Sequence, residues 1–157
     1  MEPLLQTGDI VLARRVRNGI PRGAVVVTNA PLRTGFALIP RLRALINRED
    51  AVPVPVGRPV PRIVLGLPGE TVAWDHSGVT VGGRRYETLM LHEDLPLDEE
   101  VLELGEEEFF LLSLQPGRAD SRIIGPVSRN ALRFHVQSIV WPGDRRGVLD
   151  PAELNFP

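Results

Sequence analysis

The chain has 157 residues, 43% of them hydrophobic and 24% charged, the profile of a soluble globular protein long enough to bury a core without a disulfide or a metal. Disorder and collagen-like repetition are excluded as descriptions of the whole. A formal net charge of -2 argues against nucleic acid as a partner, because phosphate binding draws on a basic excess. No stretch has the length and apolarity of a membrane span, and the first residues do not read as a secretory signal.

Cysteine is absent, which removes thiol nucleophiles, thiolate zinc sites and disulfides together. His76, His92 and His135 are scattered without metal-ligand spacing, so no metal and no cofactor is expected. All 18 basic residues are arginine. Arginine, unlike lysine, does not serve as a neutral amine base.

Gly8 to Val16 reads as a short strand opened by a turn, and Val25-Val26-Val27-Thr28 as a second strand of β-branched residues. Between residues 31 and 50, apolar side chains from Phe36 to Ile46 recur at roughly helical spacing among arginines. A short helix is predicted after Pro40. Its apolar stripe is assigned to packing, with a membrane-surface role for residues 36–46 as the alternative. The prolines at 53, 55, 59 and 61 remove backbone donors, which predicts an extended edge or connector and excludes a central strand there.

Ile63-Val64-Leu65 reads as a strand running into a tight turn at Gly66-Leu67-Pro68-Gly69, with proline at the first central position and glycine at the second. Val79-Thr80-Val81 and Arg84-Arg85-Tyr86 flank Gly82-Gly83, the chemistry of a two-residue hairpin. Acidic residues crowd the interval from Glu93 to Glu108 and repel one another, so a solvated loop or ribbon is expected near 87–108. Phe109 to Leu112 reads as a buried strand, Ser121 to Val127 closes on Gly125-Pro126, and Ala131 to Val140 supplies a last strand before Trp141-Pro142. The sum is a mainly β chain of many short antiparallel strands with little helix.

In this order the motifs resemble those of the type I signal peptidases, membrane-anchored serine proteases with a serine and lysine dyad on a folded β-structure. Met1-Glu2-Pro3 with Gly8-Asp9 resembles the family's Ser-Met-x-Pro-Thr-Leu-x-x-Gly-Asp segment, whose first serine is the nucleophile. Arg22-Gly23-Ala24-Val25-Val26-Val27 is similar to the next box. Arg62 to Glu70 resembles Lys-Arg-x-x-Gly-Leu-Pro-Gly-Asp, while Asp120-Ser121-Arg122 with Gly125-Pro126-Val127 resembles the last box, and Ile139 to Pro142 its usual ending. The related self-cleaving repressors share the dyad, but the Gly-Leu-Pro-Gly turn favours the signal peptidase branch.

The resemblance implies a hydroxyl whose proton passes to a lysine kept neutral by desolvation. Aligned on Gly66, Arg62 occupies the lysine's place, and Arg118 that of the serine that orients it. Neutralising an arginine at pH 7 costs roughly 7 kcal/mol or more, at about 1.4 kcal/mol per pH unit, so Arg62 cannot be the base. The nucleophile would immediately precede Met1, together with the family's upstream oxyanion-hole serine. The family's Gly-Asp-Asn reads Ser113-Leu114-Gln115, and Pro59 and Pro61 lack donors on the segment where, in the family, substrate adds as a strand. Neither His76 beside Asp75 and Ser77 nor His135 between Phe134 and Val136 stands in place of the lysine.

The expectation is a signal-peptidase-like β domain over 1–157, with a variable insert near 31–50, in which Gly66, Pro68, Gly69, Asp120, Ser121, Arg122 and Gly125 persist as structural motif, including an Asp120–Arg122 ion pair. The expected function is that of a catalytically inactive homologue acting as a scaffold or binding protein for a peptide or protein partner. As given, the chain reads as soluble and cytoplasmic. The alternative is an active leader-peptide endopeptidase whose serine and membrane anchor lie upstream.

Overall fold

In a computed structural model the chain is described over residues 5, 9–17, 19–28, 60–75, 78–87, 100–113 and 120–149. In chain order the strands are β1 (Ile10–Arg15), β2 (Val25–Thr28), β3 (Val60–Gly66), β4 (Thr71–Trp74), β5 (Gly78–Val81), β6 (Arg84–Glu87), β7 (Glu100–Glu103), β8 (Glu108–Ser113), β9 (Val127–Ser128), β10 (Leu132–Trp141) and β11 (Gly147–Val148), with a one-turn helix α1 (Ser121–Ile124). The larger sheet runs β1-β10-β2-β3-β8-β9, and β11 also pairs with β10; the smaller runs β6-β5-β4-β7. Every pairing is antiparallel. Among the described residues no helix is long and apolar enough to cross a membrane.

The three unbroken apolar runs lie at the centre of the larger sheet, where both faces are covered. Side chains alternate between faces along a strand. Val25, Ile63, Leu65, Phe110 and Leu112 therefore pack into one cluster with Val72, Trp74 and Val79 of the smaller sheet. Val26, Val64, Phe109 and Leu111 face the other way, against Ile20, Val127 and Leu132. A strand buried on both faces has no polar side to show, which is why period-2 alternation is missing from these runs.

The sheets meet at Gly66. A Cβ there would lie 2.7 Å from Phe110 Cβ, 2.8 Å from Leu104 Cδ1 and 2.9 Å from Val72 Cγ2, so a hydrogen in place of a side chain lets β3, β8 and the smaller sheet share one core. The register between β3 and β8 slips at the same point, with Val64 opposite Leu111 and Gly66 opposite Phe110. The chain then turns through Leu67-Pro68-Gly69-Glu70, closed by the Glu70 N–H donating to Leu67 O at 3.2 Å. Gly69 takes the left-handed φ of 77° that the second central position demands. Between β5 and β6, Gly82 and Gly83 both have positive φ, 58° and 80°, the two-residue turn whose twist matches a hairpin.

Two expectations are corrected. The segment ending at Pro61 is extended, but Val60 and Pro61 open β3, which is an interior strand, with Pro61 opposite Val27. Val64 N–H points to β2, donating to Ala24 O at 2.9 Å. By alternation, the donor Pro61 lacks would face the β8 side, where β8 has already ended at Ser113 opposite Arg62. Among the described residues no ladder bond is lost there, so proline is tolerated. Secondly, the strand from 132 is followed by β11, which takes up the edge of β10 that β2 leaves open. Within the stretch expected as an acidic loop or ribbon, Glu100 and Glu103 belong to the edge strand β7, paired with β4, and Glu108 opens β8. The helix expected after Pro40, the prolines at 53, 55 and 59, and acidic residues 93–99 lie outside the described residues.

Gly66→Ala is expected to lower the denaturant midpoint by the equivalent of about 1 to 3 kcal/mol, the usual cost of forcing an extra carbon into a packed core. Gly19→Ala, where an added Cβ meets nothing within 4 Å, is expected to stay within about 0.5 kcal/mol of the parent. Urea titrations of both variants check the contrast.

Candidate functional site

Asp120 is completely buried and spends its carboxylate fully. Oδ1 accepts from the Arg122 backbone N–H at 3.1 Å and from Arg122 Nε at 3.0 Å; Oδ2 accepts from Arg122 Nη2 at 2.7 Å and from the Ser113 N–H at 3.2 Å. With extended backbone it caps the N-terminus of α1. One carboxylate thus starts the helix, neutralises Arg122 and ties the end of β8 to α1. Ser121, also buried, accepts from the Leu111 N–H through Oγ at 2.9 Å, so α1 is stitched to β8 at two points. The sequence announced the Asp120–Arg122 pair, whereas the Ser113 and Ser121 contacts are set by tertiary placement.

Arg62 is the anomaly. It lies on β3 opposite Val26 of β2 and Ser113 of β8, on the face shared by Val26 and Val64, and keeps only 8% of its surface exposed. Among the described residues its Nε and Nη1 are buried with no hydrogen-bond partner. Burial pulls its pKa below the ordinary arginine value, and the Asp120 carboxylate works in the opposite direction. Asp120 is already committed to Arg122, so Arg62, Asp120 and Arg122 leave this buried cluster one positive charge in excess. A cation so placed is ordinarily paired or hydrogen-bonded.

The other polar gap lies in the same row of the sheet. Arg62, Val26, His135 and Arg14 face one another across β3, β2, β10 and β1. Directly opposed residues share a face, so Arg62 and His135 point to the same side, one strand apart. Among the described residues His135 Nε2 is buried and unpartnered; burial pulls its pKa below 6.5.

At the far end of β3, Gly66, Pro68 and Gly69 form the turn described above, held by contacts that sequence reasoning missed. Glu70 accepts from the Leu67 N–H at 2.8 Å and from Arg22, which also donates to Leu65 O. The Arg22 to Glu70 spacing of 48 residues left no local signal for it. Gly125 ends α1, its N–H donating to Ser121 O at 3.0 Å. Structure therefore brings Arg62 together with Asp120 and Arg122 and leaves the glycine turn apart from them. Met1, Ser77, His76, His92 and Arg118 lie outside the described residues.

Two substitutions should have opposite signs. Asp120→Asn strands Arg122 in the core and is expected to cost about 3 to 5 kcal/mol. Arg62→Met keeps the volume and removes a buried charge with orphaned donors, and is expected to stabilise by about 1 to 3 kcal/mol; denaturant midpoints decide both. For His135, the unfolded chain takes up the proton first as pH falls, because the folded pKa is the lower one. The folded state's advantage is therefore full above about pH 6.5 and is lost as pH drops below it. The fall in denaturant midpoint from about pH 7 to 5 should be shallower in His135→Gln than in the parent.

No curated protein matches the sequence. Among solved structures, a signal peptidase I from Enterococcus faecalis V583 is similar with a TM-score of 0.46 and 17% identity, over 74% of this chain and 96% of that one. The family described as signal peptidase, peptidase S26, matches residues 1–141. With a match of that extent, the chain belongs to the signal peptidase family, peptidase S26.

Proposed function

We propose that this chain is a catalytically inactive member of the signal peptidase family, acting as a scaffold or binding protein for a peptide or protein partner. The observation that carries the reading is Arg62. Aligned on the Gly66 to Gly69 turn, it stands where the family resemblance calls for a lysine base, and it is buried without hydrogen-bond partners for Nε and Nη1. Desolvation can strip the proton from a buried lysine and so make it a base near neutral pH. In arginine the guanidinium keeps its proton under the same burial.

Pro61 supports the same reading. The family resemblance implies that substrate adds as a strand beside the segment preceding residue 62, and there Pro61 offers no N–H. The missing donor weakens main-chain capture.

Incubation with a leader peptide bearing a small-residue cleavage site, followed by mass spectrometry, is expected to return the peptide intact over days at neutral and alkaline pH. Specific cleavage at that site, lost on substitution of any single serine or histidine, would replace this reading with that of an active peptidase.

A further inference from the structure

Among the described residues, the buried side-chain nitrogens without a hydrogen-bond partner are Arg62 Nε, Arg62 Nη1 and His135 Nε2. All three lie on one face of the larger sheet and in one cross-strand row, with Val26 between the two residues that bear them. Neighbouring strands are about 4.8 Å apart, so the two backbones stand roughly 10 Å from each other. Random imperfections would be scattered over both faces. Here they converge on one strip.

The chemistry of the strip is one-sided. Arg62 always carries its proton and offers only donors. The carboxylate that acts on it, Asp120, is fully occupied by Arg122 and two backbone N–H groups. The other charged side chain in the row, Arg14 opposite His135, adds positive charge. Among the described residues an acceptor with negative charge is what the strip lacks, and a planar carboxylate matches the guanidinium in shape, charge and hydrogen-bond geometry. The 8% of Arg62 that remains exposed means the side chain meets solvent at its rim, so a small anion need not cross the core to reach it.

We propose that Arg62 anchors a carboxylate-binding site on this face, with His135 as the second polar contact for the bound molecule. The carboxylate is either that of a free small acid or the C-terminus of a peptide, and the two share the same anchor. This inference rests on the reading of the chain as a non-cleaving family member, since it assigns to Arg62 a binding role where a base would have stood.

The test is nuclear magnetic resonance of the arginine Nε–H groups of the full chain, with the Arg62 signal assigned by its loss in Arg62→Met. Sodium acetate is titrated against sodium chloride at constant ionic strength, followed by a short peptide as free acid and as C-terminal amide. The expected result is a saturable shift of the Arg62 Nε–H signal with acetate and not with chloride, and binding weakened about tenfold or more in Arg62→Met, read in both proteins from the backbone amide shifts that accompany it. Free-acid peptide binding at least about tenfold more tightly than acetate or the amide identifies a peptide terminus as the ligand; equal binding of peptide acid and acetate identifies a free small acid. No saturable shift, an equal response to chloride, or undiminished binding in Arg62→Met overturns the proposal. Backbone spectra confirm that the variant is folded, and Arg62→Gln, which keeps a polar side chain without the charge, serves as the second variant. Mass spectrometry of a leader peptide in parallel samples separates the two levels: cleavage overturns the non-cleaving reading, whereas an intact peptide with no shift overturns the carboxylate site alone.

Discussion

The approach that the core depends on is made at a residue with no side chain. Gly66 brings the β3 backbone against Phe110, Leu104 and Val72 at distances a Cβ would violate, and those three neighbours come from β8, the loop after β7, and β4. Because it ends β3 and precedes the turn into β4, the same residue passes the chain from one sheet to the other. The first hydrophobic cluster draws on both sheets, so this approach lets two short-stranded sheets bury one continuous core. Each sheet has an apolar face that must be buried against another layer.

From that core the site follows by parity. Ile63 and Leu65 turn toward the smaller sheet, so Arg62 and Val64 must turn away. Val64 is covered by Leu111 and the residues around Ile20, and Arg62 is carried under the same cover toward the end of β8, where Asp120 caps α1. Had Asp120 faced Arg62 alone, the two would have made an ordinary buried pair. Arg122 lies two residues away and is bound side-on through Nε and Nη2, a fork that satisfies the carboxylate geometry and leaves nothing for a second cation. The excess charge at Arg62 is thus a consequence of how well the Asp120–Arg122 pair is made.

The parts of this arrangement written in local chemistry are legible in the sequence. Pro68-Gly69 and Gly82-Gly83 name their turns, and Phe109 to Leu112 names a strand buried on both faces. Others depend on distant pairing. Glu100-Val101-Leu102-Glu103 is half carboxylate and becomes a strand because β4 offers it an edge, while Thr71 to Trp74 alternates correctly but is only four residues long, too short for period-2 evidence to stand against a turn. Pro61 reads as a strand breaker until the end of β8 at Ser113 is known. That Arg62 falls where the family resemblance implies a lysine is an expectation drawn from motif order. Its unmet donors, and their alignment with His135, arise only from register across three strands.

Burial acts on a lysine and an arginine in different ways, and that difference governs what such a position can become. Desolvation raises the cost of the charged form in both. A lysine answers by giving up its proton, which turns a buried cation into a nucleophile's base. An arginine has too high an intrinsic pKa to answer in that way, so the cost stays in the folded state as an unmet charge until an anion or water relieves it. A protein that kept only the scaffold would gain stability by placing an apolar residue at 62. A guanidinium there, where the other buried charges among the described residues, Asp120 and Arg122, are paired with each other, is the kind of local inconsistency that natural sequences concentrate at sites of function.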